Sequence, residues 1–142
     1  MAVGVPDKAR AEVGRRDVFD KDCPARTILD KVTSRWGVLI LAALRDGPMR
    51  FHVLRDRIGG ISEKMLSQNL RTFTEYGLLE RTVEPTIPPR VSYELTPRGH
   101  EIADRLQGLL EWVQANAEEV VRFQQGTRPL DHDDGPRLPT TK

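Results

Sequence analysis

A chain of 142 residues, 38% of them of the AVILMFWYC type and 30% charged, has the balance of one soluble domain and lacks the uninterrupted apolar stretch that crossing a bilayer requires. Its single cysteine, Cys23, excludes an internal disulfide framework and a cysteine-rich zinc site, and the charged N-terminal segment holds no apolar core of a secretory signal, so the expected compartment is the cytoplasm. With 22 basic against 21 acidic residues the net charge is +1, a whole-chain sum unlike that of a strongly basic nucleic-acid binder.

Residues 1–22 balance acidic and basic side chains without helical or strand periodicity. They read as a mobile arm, with at most a short helix near Ala9–Val13. Cys23-Pro24 opens the folded part, because proline suits the first helical position; Ile28, Leu29 and Val32 then fall on one face of a short helix over about 24–33. A second helix, Ser34–Arg45, carries Trp36, Val38, Leu39, Ile40, Leu41, Ala42, Ala43 and Leu44 and is apolar nearly all round, which predicts central burial. Asp46-Gly47-Pro48 stops it.

Arg50–Ile58 repeats Phe51, Leu54 and Ile58 at helical spacing and ends at Gly59-Gly60. Ser62 is placed to cap the next helix, which runs to about Tyr76 before Gly77. Two short helices joined by a glycine-containing turn make a helix-turn-helix pattern. In the second, Leu66, Leu70 and Phe73 form the inner stripe, and the opposite side presents Lys64, Gln68, Arg71 and Glu75, flanked by Ser67 and Thr72. The period then changes to two. Leu79, Arg81 and Val83 on one run and Val91, Tyr93 and Leu95 on the other flank a connection, Glu84–Arg90, that holds three prolines. This predicts a two-stranded hairpin with a stiff tip. Thr96-Pro97 starts a last helix that runs from Pro97 to Phe123 over about 40 Å, with the stripe Ile102, Leu106, Leu109, Val113, Ala117 and Val120. So long a helix overhangs a core of about a hundred residues, and a partner subunit would supply the missing cover. Gly126–Lys142, with three prolines and little apolar content, reads as a disordered tail. The domain itself is expected over residues 23–125.

This order of elements is that of a winged helix-turn-helix, mainly α with a small β-hairpin wing. The chain resembles the HxlR-type family of bacterial transcriptional regulators, relatives of the MarR group. The resemblance is carried by Cys23-Pro24, Arg35-Trp36-Gly37-Val38-Leu39-Ile40-Leu41, Asp46-Gly47-Pro48-Met49-Arg50-Phe51, the block from Gly60 to Arg71, Tyr76-Gly77-Leu78-Leu79-Glu80-Arg81 and Val91–Gly99. It covers about Cys23 to Trp112. It implies a homodimeric DNA-binding repressor or activator whose subunits meet through the first and last helices.

Charge, divided by segment, agrees with that implication. From Arg50 to Arg71 five basic residues face Asp56 and Glu63, a local excess of +3, whereas the helix after Gly99 sums to -3. Lys64, Ser67, Gln68 and Arg71 are the candidates for the major groove, since Arg or Lys matches guanine O6/N7 and Gln matches adenine N6/N7. Ser62 belongs to the same candidate surface at the start of the helix. Arg90, at the foot of the wing, is the candidate for the minor groove or its flanking phosphates. Arg50 and Arg55 are expected on phosphate, setting register without reading bases. The competing interpretation of these side chains is a solvated helix face.

Cys23, just before a helix N-terminus, lies where a thiolate is stabilised, and the resemblance implies an oxidant or electrophile sensor at this position in some members. The plainer alternative is a small residue that packs and never reacts. His52, His100 and His132 have no metal-ligand spacing, so no metal or cofactor is expected. Trp36 and Trp112 read as core residues, with a small-molecule effector pocket beside them as the less ordinary option. Two functions of different class remain: an operator-binding homodimer on double-stranded DNA, and a winged helix that meets another protein. A protein-docking face would carry aromatics or methionine at its centre, and this one is polar and basic. No constellation for an enzyme is present in the sequence.

Overall fold

Residues 17–126 are described by the computed structural model. The short helix expected near Ala9–Val13 and the tail beyond Gly126 lie outside those residues. Asp17–Asp22, assigned above to the arm, form turns. Asp20 N–H donates to the Asp17 carbonyl and Cys23 N–H to that of Asp20, each at 3.0 Å, while Arg26 Nη1 donates back to the Val18 and Phe19 carbonyls.

The elements are α1 (Pro24–Val32), α2 (Arg35–Ala43), a single 3-10 turn at Leu44–Asp46, β1 (Met49–Arg50), α3 (Phe51–Arg57), α4 (Glu63–Glu75), β2 (Leu79–Glu84), β3 (Arg90–Leu95) and α5 (Pro97–Gln124). Two differences from the sequence reading have physical causes. The sheet has three antiparallel strands in the order β1-β3-β2 and is not a two-stranded hairpin. Met49 and Arg50 pair with Tyr93 and Ser92, and a strand of two residues is too short for alternation to show in sequence. Because Arg50 is taken up by this pairing, α3 starts at Phe51, the first residue of its apolar repeat, and not at Arg50.

The chain divides at Leu106/Gln107 into two compact units. In the first, Leu54, Leu66, Leu70, Phe73, Ile40, Leu41 and Leu44 form the centre of the core, closed by Leu79, Leu95, Ala103 and Leu106. As predicted, α2 is the central helix, burying Gly37, Val38, Ile40, Leu41 and Ala43. It does so partly because Gly37 has no side chain: a Cβ there would lie 2.2 Å from the Lys31 carbonyl oxygen. Ser34 completes the α1–α2 corner. Its hydroxyl donates to the Lys31 carbonyl at 2.8 Å and accepts from Gly37 N–H at 3.1 Å.

Thr96 ties the wing to the helices on both sides of it. Its Oγ1 donates to the Gly77 carbonyl at 2.6 Å and accepts from Gly99 N–H at 3.0 Å, capping α5 as expected. Close packing continues one turn on, where a Cβ on Gly99 would meet the Leu78 carbonyl oxygen at 2.0 Å. Arg45 Nε donates to Asp104 Oδ1 at 2.7 Å, and this pairing holds the Asp104 carboxyl below its ordinary value of 3.8.

In the second unit the described residues are the remainder of α5 and the turn after it. Leu109, Trp112, Val113, Val120, Val121 and Phe123 are all exposed there, Trp112 to 59%. The expectation that Trp112 lies in a core is therefore corrected: more than half of it is exposed. Among the described residues no helix is long and apolar enough to cross a membrane.

Candidate nucleic-acid interface

The candidate surface is built on α4. Ser62 caps it, its Oγ accepting from Met65 N–H at 3.0 Å, and leaves its hydroxyl proton available as a donor. Three apolar residues, Leu66, Leu70 and Phe73, are buried. Lys64, Ser67, Gln68 and Arg71 are exposed, the partition that 100° per residue demands. No polar or charged residue among those described is buried, so the whole charge of this face is available to solvent or to a ligand.

The turn from α3 into α4 is bridged electrostatically. Arg55 Nη1 bonds Glu63 Oε2 at 2.5 Å, and Arg55 Nη2 lies 3.6 Å from Asp56 Oδ1. Arg55 is thus held between Asp56, its neighbour on α3, and Glu63 at the start of α4. A free phosphate ligand was expected of it; here it braces the helix-turn-helix, and a phosphate would have to compete with Glu63. Arg50 is exposed at the end of β1, where it is also the residue preceding α3.

On one side of α4, Ser67, Arg71 and Thr74 share a groove of about 420 Å³ with Arg81 and Tyr93 of the wing. Arg81 was missed in the sequence because period two placed it in one row with Leu79 and Val83. In the structure only Leu79 of those three is buried, and every residue from Glu80 to Arg90 is exposed. The wing protrudes as the prolines predict. Arg90 opens β3 directly across from Glu84 in the register of the two strands.

On the other side, Gln68, Asn69 and Thr72 share a second groove, of about 220 Å³, with Lys31, Arg35 and Trp36. Trp36 is half-buried, not the full core residue expected. Cys23 is the N-cap of α1 and is 2% exposed; its side chain makes no cap hydrogen bond. Among the described residues no group of three or more His, Cys, Asp or Glu side chains is arranged to hold a metal.

Comparison with known proteins gives four concordant matches. The model of the HxlR-like helix-turn-helix family matches residues 31–121. The uncharacterized HTH-type transcriptional regulator YtfH of Escherichia coli (strain K12) is 48% identical over 105 residues, 74% of this chain and 83% of that protein. Among solved structures, ytfH from Salmonella typhimurium superposes with a TM-score of 0.74 at 46% identity, covering 77% of this chain and 97% of that one. The redox regulator HypR in its oxidized form does so with a TM-score of 0.61 at 30% identity, covering 66% and 97%.

Proposed function

This chain belongs to the HxlR-like helix-turn-helix family of transcriptional regulators, and from that premise we propose that it acts in the cytoplasm as a homodimer on a two-fold symmetric operator in double-stranded DNA. The observation that carries the reading is α4: its inner stripe of Leu66, Leu70 and Phe73 is buried, Met65 is half-buried, and its outward row is Lys64, Ser67, Gln68 and Arg71. A polar row with guanine- and adenine-matching groups, standing on a rigid helix, is suited to base edges in the major groove. Arg50, Ser62, Arg81 and Arg90 supply phosphate contacts around it, and Arg55 holds the turn.

Dimerisation is supported by apolar surface left open at two places. Ile28 and Leu29 of α1 are exposed to 48% and 40%, and the stripe of α5 from Leu109 onward is exposed. A second subunit burying such side chains would recover about 25 cal/mol per Å².

The test is selection of bound sequences from random duplexes. A symmetric consensus is expected, with half-sites about one helical turn or a small multiple apart. Binding should fall with salt at a log-log slope of about -5 to -9. Gln68→Ala should relax the preference at one base pair per half-site by about 1–3 kcal/mol. A flat salt response without a consensus would leave the protein-docking alternative standing instead.

Oxidant response through Cys23 is the finer part of the proposal, favoured by the likeness to a structure described as an oxidized redox regulator. Two Cys23 thiols, one per subunit, would give up two protons and two electrons to an oxidant such as diamide and form one disulfide. Because Cys23 is buried, the turn that precedes it must open first. Equal release of operator DNA by wild type and Cys23→Ser after diamide would remove this part and leave operator binding intact.

A further inference from the structure

We propose that Lys31 and Arg35 form a phosphate clamp that grips the DNA backbone on the side of α4 away from the wing; the inference rests on the operator-binding reading above. Four observations support it. Both side chains line the groove that Gln68, Asn69 and Thr72 of α4 also line, so a duplex seated on Gln68 brings a strand within reach of them. Both residues are exposed. The Arg35 guanidinium carbon lies 5.1 Å from the centroid of the Trp36 ring, a cation–π contact that leaves the edge donors free for an anion. Trp36 itself reaches the turn between α3 and α4, with a ring carbon 3.8 Å from where a Gly60 Cβ would stand. The stacked pair is therefore registered against the same turn that aims α4.

The corner carrying the two cations is rigid. Lys31 and Arg35 flank Thr33-Ser34, whose hydroxyls bond the Leu29 and Lys31 carbonyls, and Gly37 sits against the Lys31 carbonyl with no room for a Cβ. Preorganised cations lose less freedom on binding than flexible ones. One carboxylate, Asp30, shares the groove and opposes the anion, leaving the rim with one net positive charge. With Arg71 and Arg81 in the groove on the wing side, α4 would then lie between two cationic edges, as a helix in the major groove lies between two phosphate strands.

Phosphate contacts position without reading sequence, which sets the experiment. Full-length wild type, Lys31→Ala, Arg35→Ala and Gln68→Ala are titrated by fluorescence anisotropy against the selected duplex and a scrambled one across a salt series. Each clamp variant should bind both duplexes weaker by a similar factor, about tenfold, and lower the salt slope by about one per subunit. Gln68→Ala should instead narrow the gap between the duplexes. Asp30→Asn should strengthen binding to both. A single neutral methylphosphonate linkage, moved along each half-site, should weaken wild type at one position at which Arg35→Ala is indifferent. Unchanged slopes for Lys31→Ala and Arg35→Ala, with wild type still specific, would overturn the clamp alone. Absence of salt-dependent binding by wild type would overturn the operator reading and the clamp with it.

Discussion

Two amphipathic helices of this chain end in opposite conditions. In α4 the stripe of Leu66, Leu70 and Phe73 is wholly buried, and every fully exposed residue is polar or charged. In α5 the stripe is half-buried at Ile102, buried at Leu106 and exposed at Leu109, Val113 and Val120. The first helix is finished by its own chain, so what remains outside is free to recognise something polar. The second has apolar side chains that its own unit does not cover, and water makes that unfavourable. On the proposed reading, function is carried on α4 by charge and hydrogen-bonding groups, and on α5 by uncovered carbon.

The largest expected effect tests that contrast directly. Leu70→Ala should cost about 3 kcal/mol by leaving a cavity at the centre of the core, independent of protein concentration in urea unfolding. Leu109→Ala should show its effect only as a concentration-dependent shift of the transition, as burial by a second subunit would require. If the two variants behaved alike at every concentration, the distinction between the helices would be lost.

Next in size is a pair of identical changes within α5. Gly99→Ala should destabilise by about 2 kcal/mol, because its Cβ would meet the Leu78 carbonyl. Gly108→Ala, whose Cβ would meet nothing among the described residues within 4 Å beyond its own stretch of helix, should stabilise by up to about 1 kcal/mol through helix propensity. Thermal melts of the two side by side would read both signs. Ser62→Ala should remove about 1 kcal/mol with the loss of the α4 cap, seen in the same melts and as weaker DNA binding.

The smallest effect concerns Asp104. Its folded value is depressed by Arg45, so it contributes stability above the ordinary value of 3.8, and that contribution is lost as pH falls through the folded value. The pair is exposed and screened. Wild type and Asp104→Asn should therefore differ slightly in melting temperature near neutral pH and converge in acid. A difference that grew in acid would contradict the pairing.

Much of the arrangement was legible in the residues themselves. Leu66, Leu70 and Phe73 recur at helical spacing, so the outward row of Lys64, Ser67, Gln68 and Arg71 follows from geometry alone. Ser62 and Thr96-Pro97 mark helix starts through local hydrogen-bonding chemistry that needs no tertiary context. The three prolines before Arg90 place an exposed loop between strands. By contrast, β1 is too short to carry a period, and Arg81 stood in an alternating row whose burial depends on how far the sheet extends beyond the core.

Periodicity and capping are local, which is why the sequence by itself determined the helices, the turn between α3 and α4, the wing and the polarity of the recognition face. Only the tertiary structure decided that Arg55 is held by Glu63 and Asp56, that Cys23 is buried, and that Lys31 and Arg35 share a groove with Gln68. Each of these depends on where separate segments come together, and the distance between side chains on different elements is set by packing, which no repeat within one segment encodes.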